Sequence, residues 1–186
     1  MELRQAINLV EAANKEKLEQ VKLPYARDGL APVLSLAAVN YHYGKLYKTY
    51  VDRFNKGEGD SSFNEAGAFL HKIYFSQLQP PSSGNKPHGT SKALIERRWT
   101  SFERFKEQFA LEAMKIQGSG WVYMTRGGEI KTIRNHAIRK DIALLVDWWE
   151  HSWALDYSSN KQKYLDNMWR SINWEYVNRR IYGGIK

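Results

Sequence analysis

Five histidines stand in this 186-residue chain: His42, His71, His88, His136 and His151. There is no cysteine, which excludes thiolate metal sites, iron–sulfur clusters, cysteine nucleophiles and disulfides. Any metal must therefore be held by His, Asp or Glu. His42 shares a helical face with Leu46 and Tyr50, and His71 shares one with Gly67, Tyr74 and Leu78. Asp147 and His151 close an apolar run in Asp147-Trp148-Trp149-Glu150-His151. A carboxylate and an imidazole four apart can converge there only if the chain bends after the run. A lone His flanked by aromatics is usually a satisfied core residue. Three of them on apolar faces, with an Asp emerging from a buried run, read differently, because buried charge needs a partner and a metal supplies one. His88 lies in a Pro/Gly-rich stretch and reads as a surface residue.

Three imidazoles and one carboxylate without a thiolate suit Fe, Mn or Zn. Charge arithmetic favours redox use. Three neutral His and one Asp around M(II) with bound water leave a net charge of +1, and around M(III) with bound hydroxide they leave the same charge. One electron and one proton can then move together without building charge in a dry site.

The elements that must position these groups read as α+β. An N-terminal helical hairpin layer precedes a C-terminal domain of helices packed on a small three-stranded antiparallel sheet. Residues 1–22 are rich in helix formers with a weak apolar face, and they read as an extension helix broken at Leu23-Pro24-Tyr25. Residues 23–88 form the hairpin domain, with helices over about 35–54 and 64–78. Ser35 is the cap of the first helix, Gly57 and Gly59 end it, and Pro80-Pro81 stops the second. Residues 89–186 form the α+β domain. There the spacing predicts helices over about 91–98 and 101–116, with Thr100 and Glu103 as a capping box and Gly118 closing the second. Strands follow at 120–126, 129–135 and 142–148, the first two joined by Gly127-Gly128, and a tail helix runs from Lys161 to Arg180.

Composition sets outer bounds. With 28 Lys and Arg against 20 Asp and Glu, the net charge is +8. Apolar residues at 42% and charged residues at 26% describe a globular chain, not a disordered one. Seven Trp, eleven Tyr and seven Phe require a packed interior or a large interface. The Lys and Arg are scattered, so a solvated face is a better reading of the charge than a nucleic-acid or large-particle partner. No apolar run approaches membrane-spanning length, since Leu30 to Val39 is short and holds Pro32 and Ser35. The N-terminus lacks the features of a secretory or transit peptide, and the expected location is cytoplasmic.

Several blocks together resemble a known family. They are Leu23-Pro24-Tyr25 with Leu30-Ala31-Pro32, Tyr41-His42-Tyr43-Gly44-Lys45, Gly118-Ser119-Gly120-Trp121, Asp147-x-Trp149-Glu150-His151 and Asn173-Trp174-Glu175. In order and spacing, from about residue 23 to 182, they resemble the iron/manganese superoxide dismutases. The resemblance implies one Fe or Mn per subunit, held by His42, His71, Asp147 and His151, and superoxide anion as substrate. It implies Tyr50 as the tyrosine at the mouth of the substrate channel. It implies that Glu150 crosses a dimer interface to orient the partner's ligand histidine, so a homodimer or tetramer is expected. Trp121 and Trp149 match aromatic walls of the pocket, and Lys45 and Arg180 match cations that steer the anionic substrate.

Three departures accompany the resemblance. Leu46 and Ala154 stand where the family usually has a His and a Tyr that pair across the interface. Losing both together leaves no orphaned polar group. Gly67 stands where iron enzymes tend to carry Gln, and the loop after the hairpin holds Asn135-His136 where manganese enzymes carry Gln. His136 is therefore expected to take the Gln role. A structural or assembly protein on the same fold is the competing reading, but four retained ligands argue against it. A zinc hydrolase is remote, because the match commits Glu150 elsewhere and no other carboxylate resembles a general base.

Overall fold

A computed structural model describes residues 16–183. The helical half begins with α1 (Leu36–Tyr41), continues without a break through a π-helical stretch (His42–Tyr47) and ends as α2 (Lys48–Lys56). Ser35 caps α1, its side chain accepting from the Ala38 amide at 3.1 Å. Gly57 ends α2 in the left-handed region at φ 69°, which glycine adopts without steric cost. Asp60 caps α3 (Ser61–Ser76), which packs along α2. The π-helical stretch opens at His42, and such stretches often sit at functional sites.

The second half holds α4 (Gly89–Trp99), α5 (Phe102–Met114), β1 (Gly120–Thr125), β2 (Ile130–Arg134) and β3 (Ile142–Asp147). It closes with α6 (Glu150–Tyr157), α7 (Lys161–Met168), a 3-10 turn (Trp169–Ser171) and α8 (Trp174–Ile181). The sheet is antiparallel in the order β2-β1-β3, with Trp121 directly opposite both Ile133 and Asp147. Every residue of β1 and β3 is buried, while β2 is the half-exposed edge. This matches the expected α+β arrangement. Among the described residues no helix is long and apolar enough to cross a membrane.

One buried side chain joins the halves. Gln77, at the end of α3, accepts from the Leu145 amide at 3.0 Å and donates to the Leu145 carbonyl. An amide side chain offers one acceptor and two donors, so it can pair with a strand as a neighbouring backbone would. The helix that carries His71 is thereby fixed to the strand that carries Asp147.

Several expectations need correction. Residues 16–22 are not helical; they run as a strap across the helical half, while residues 1–15 lie outside the described residues. The Leu18 amide donates to Asn55 and the Leu18 carbonyl accepts from it, both at 2.8 Å. These bonds occupy the strap's backbone groups with side chains in place of a helical ladder. The cap of α5 is Ser101, which accepts from the Arg104 amide at 3.1 Å; Thr100 has φ 74° and lies before it. Helix α5 ends at Met114 with Lys115 as its C-cap, before Gly118. The tail is two helices, because Ile172 is extended and Asn173 caps α8 anew, accepting from the Tyr176 amide at 3.1 Å. Helix α6 was not expected at all. It supplies the bend that the Asp147–His151 spacing requires.

Candidate metal centre

His42 stands at the start of the π-helical stretch and His71 in the middle of α3. Asp147 is the last residue of β3 and His151 the second of α6. One ligand atom from each of the four lies within 4.8 Å of all the others. Asp147 Oδ2 is the hub, at 3.1 Å from His42 Nε2, 3.2 Å from His151 Nε2 and 3.8 Å from His71 Nε2. The first three of the set, His42, His71 and Asp147, are buried.

Hydrogen bonds outside the cluster aim these atoms inward. His71 Nδ1 donates to the Gly67 carbonyl at 2.7 Å, which leaves the Nε2 lone pair for a ligand. The Trp149 amide donates to Asp147 Oδ1 at 2.8 Å, which leaves Oδ2 free to face the imidazoles. Tyr164 donates to the Asp147 carbonyl at 3.0 Å. Among the described residues, Nε2 of His42 and of His71 is buried without a hydrogen-bond partner, and buried polar nitrogens are seldom left so. A cation bound between the nitrogens and the carboxylate satisfies all of them.

The electrostatics suit a cation too. Burial lowers His42 to about 4 and His71 well below its ordinary value. Burial pushes the Asp147 carboxyl up, but the facing His151 and His42 outweigh it and hold it well below the usual carboxylate range. Near neutral pH His42 and His71 are then neutral donors and Asp147 is anionic. That protonation state requires no proton to be displaced when a metal enters.

Rings wall the pocket. Trp121 stands edge-on to His71 at 5.1 Å between centroids, and Trp149 stacks near His151 at 5.6 Å. The Tyr50 ring lies 5.2 Å from His71 and 4.9 Å from His136. Burial pushes the Tyr50 phenol up to about 12, so it keeps its proton at neutral pH. His136 stacks on Trp149 at 4.5 Å and reaches within 5.9 Å of His71. Phe63, on the first turn of α3, closes over His136 at 4.7 Å and was not singled out by the sequence. Its only sequence signal was its place just after the Asp60 cap.

Two residues lie apart from this group. Lys45 is exposed, with its ammonium over the Tyr41 ring at 5.9 Å. Arg180 is only 4% exposed, and its Nε donates to the Ile142 carbonyl at 2.9 Å, tying α8 to β3. Glu150 is exposed beside His151 and lines a shallow groove with Tyr41, Ala154 and Leu155.

A two-layer α+β protein with three imidazoles and one carboxylate converging between its halves is a mononuclear metalloprotein by construction. Comparison with known proteins then narrows the class. Residues 17–62 match the α-hairpin domain of iron/manganese superoxide dismutases, and residues 87–180 match their C-terminal domain. The chain is 34% identical to the superoxide dismutase [Mn/Fe] of Porphyromonas gingivalis, covering 87% of this chain and 98% of that one. It is 32% identical to the superoxide dismutase [Fe] of Pyrobaculum aerophilum, over 86% and 89% of the two chains. It is 34% identical to the superoxide dismutase [Fe] of Bordetella pertussis, over 83% and 94%. The chain belongs to the iron/manganese superoxide dismutase family. The family match starts at residue 17, within the strap.

Proposed function

We propose that this chain is a superoxide dismutase with one Fe or Mn held by His42, His71, Asp147 and His151. The observation that carries this reading is the convergence of four ligand atoms within 4.8 Å, two of them buried nitrogens without another partner. Bound there, Fe or Mn supplies one-electron cycling. Overall, two superoxide ions and two protons give one dioxygen and one hydrogen peroxide. The protein's part is to hold the ion, admit a small anion and present protons. Asp147 contributes the single negative charge and keeps the site net positive for an anion.

Tyr50 and His136 both stand against the ligand His71, and both are neutral near pH 7. Tyr50 O–H can donate to an incoming oxygen. His136 occupies the place an outer donor needs, because position 67 has no room for one. A Cβ built on Gly67 would meet the Tyr50 ring at 2.9 Å, closer than such atoms come. The two features are coupled: the Tyr50 ring fills the space at Gly67, and the donor comes from the loop after the hairpin.

A homodimer completes the reading. Tyr41 and Leu155 are exposed at 43% and 59% on the groove that holds Glu150 and His151. Apolar surface beside a ligand histidine favours a two-fold contact, in which each Glu150 meets the partner's ligand histidine. Lys45, exposed above Tyr41, adds positive charge near that face.

Elemental analysis of the purified protein alongside its dismutation rate tests the reading. About one Fe or Mn per chain is expected, with activity lost on chelation and restored by the metal. A metal-loaded protein without dismutase activity would favour the structural alternative.

A further inference from the structure

Helix α3 packs against β3, and three of its side chains, His71, Tyr74 and Gln77, stand three positions apart on that side. His71 faces Asp147 in the cluster, and Gln77 pairs with Leu145. Tyr74 lies between them and is fully buried. Its ring packs on His42 at 5.3 Å between centroids, tilted by 31°. Its hydroxyl lies 3.2 Å from that of Tyr164, which is also fully buried and belongs to α7.

The direction of these bonds follows from what each group can do. A carbonyl only accepts, so the single proton of Tyr164 goes to the Asp147 main-chain carbonyl, 3.0 Å away. The Tyr164 oxygen then has only lone pairs left for Tyr74, and Tyr74 must be the donor between them. The competing acceptor is the Met168 sulfur at 3.9 Å, a weak one. The chain therefore runs from Tyr74 O–H to Tyr164 O–H to the carbonyl of Asp147. Each bond polarises the next in these dry surroundings. The accepting carbonyl belongs to the last residue of β3, just before the turn that brings His151 back on α6. A backbone held there fixes the side chain whose Oδ2 is the hub of the cluster.

We propose that Tyr74 is a positioning residue that acts through Tyr164 to set where Asp147 stands against His42 and His71. This rests on the reading of the four residues as a metal centre. It goes beyond that reading by naming the group that couples the nitrogens of the helical half to the carboxylate of the sheet half. The coupling works from both ends of one side chain. The Tyr74 ring braces His42, and the Tyr74 hydroxyl braces Asp147 by way of Tyr164. Removing only the hydroxyl keeps the first brace and loosens the second.

Three variants of the full chain separate the links: Tyr74→Phe, Tyr164→Phe and Met168→Leu. Phe keeps each ring and Leu nearly keeps the volume of Met, so the fold should survive. Competition with a chelator measures Zn(II) affinity, and the ligand-field bands of Co(II) in the same site report how the donors are arranged. Tyr164→Phe should weaken Zn(II) binding by roughly 10-fold, the lower end of the loss when a supporting group is removed, and should shift the Co(II) bands. Tyr74→Phe should shift the bands in the same direction with a smaller loss of affinity. The double variant should match Tyr164→Phe alone, because Tyr74 acts through Tyr164. Met168→Leu should change neither readout. Losses that add in the double variant would overturn the proposal, as would unshifted bands in Tyr74→Phe. So would Met168→Leu reproducing Tyr74→Phe, since the proton would then be spent on sulfur. If Tyr164→Phe fails to fold, the comparison of Tyr74→Phe with Met168→Leu decides. Failure of the metal-centre reading looks different: the unaltered protein would take up neither ion, and both would fall. Failure of the Tyr74 proposal alone leaves uptake intact and the Tyr74→Phe spectrum unchanged.

Discussion

The helical half and the sheet half each give two ligands, but they hold them differently. His42 and His71 come from the interiors of helical elements, and His71 is aimed by its own backbone through Gly67. Asp147 and His151 come from a strand end and a helix start, and Asp147 is aimed by neighbours, the Trp149 amide and the Tyr164 phenol. The helical half provides only neutral nitrogens, whereas the sheet half provides the single charge. The outer donor divides the same way. Gly67 on the helical side is bare and filled by Tyr50, while His136 on the sheet side is clamped by two tryptophans. The helices therefore give the frame, and the sheet half gives the one charged ligand and, on the proposed reading, the outer donor His136.

The largest effect should come from breaking that division at its charged end. Asp147→Ala removes the hub oxygen and the one anionic ligand, leaving three imidazoles around an uncompensated cation. Metal affinity should fall by well over roughly 100-fold, beyond the range for loss of a supporting group, and dismutation should vanish. His42→Ala keeps the anion and two nitrogens, so its loss of affinity should be smaller. Competition with a chelator measures both. Equal losses would show that the two halves are interchangeable in holding the metal.

Much of this division was legible in the sequence. His42 and His71 were found because helical periodicity sets side-chain direction at mid-helix. Asp147 was found because a continuous apolar run marks a buried strand, and a carboxylate at its end needs a partner. The bend that brings His151 back was not legible, since α6 shows no cap or periodic face of its own in Glu150–Tyr157. The register that sets Trp121 opposite Asp147 could not be read either, because no hairpin turn joins β1 to β3 to fix it. Gln77 gave one signal, a polar residue on an apolar helix face just before Pro80-Pro81. Its partner Leu145, 68 positions away, gave none. Arg180 matched a steering cation by motif, yet its burial against Ile142 is a property of how α8 packs. Residues 16–22 were read by composition as helix, but composition does not reveal that the side chains of Asn55, Tyr43 and Tyr47 take up their backbone groups.

A smaller effect tests the bare side of the pocket. Gly67→Ala removes a glycine from a helix interior, which alone would stabilise by about 1 kcal/mol. The new Cβ would meet the Tyr50 ring at 2.9 Å, and overpacking of a well-filled site costs about 1–3 kcal/mol. The clash should win, so the variant should melt lower. Tyr50 should swing away from His136, lowering activity more than metal content. A variant that melts higher with full activity would show that the Tyr50 ring yields easily, and that position 67 could host an outer donor after all.

The smallest expected effect lies farthest from the charge, where the strap meets the helical frame. Tyr47 O–H accepts from the Val21 amide at 3.1 Å, and Tyr43 O–H donates to the Val21 carbonyl at 2.6 Å. The Tyr47 ring also stacks on His71 at 5.6 Å, so the strap touches a ligand through one side chain. Tyr47→Phe keeps the ring and its stack but leaves the Val21 amide without that acceptor. The loss should be about 1 kcal/mol of unfolding free energy, the usual net worth of a hydrogen bond. Metal content should be unchanged, because the stack that braces His71 survives. Tyr47→Leu removes the stack as well and should release metal faster to a chelator. Denaturant melts and chelator kinetics on the two variants separate tethering from bracing. Equal metal-release rates in Tyr47→Phe and Tyr47→Leu would show that the strap's grip on the phenol, and not the ring face, steadies the ligand, and the helical half would then depend on residues outside its helices as the sheet half does.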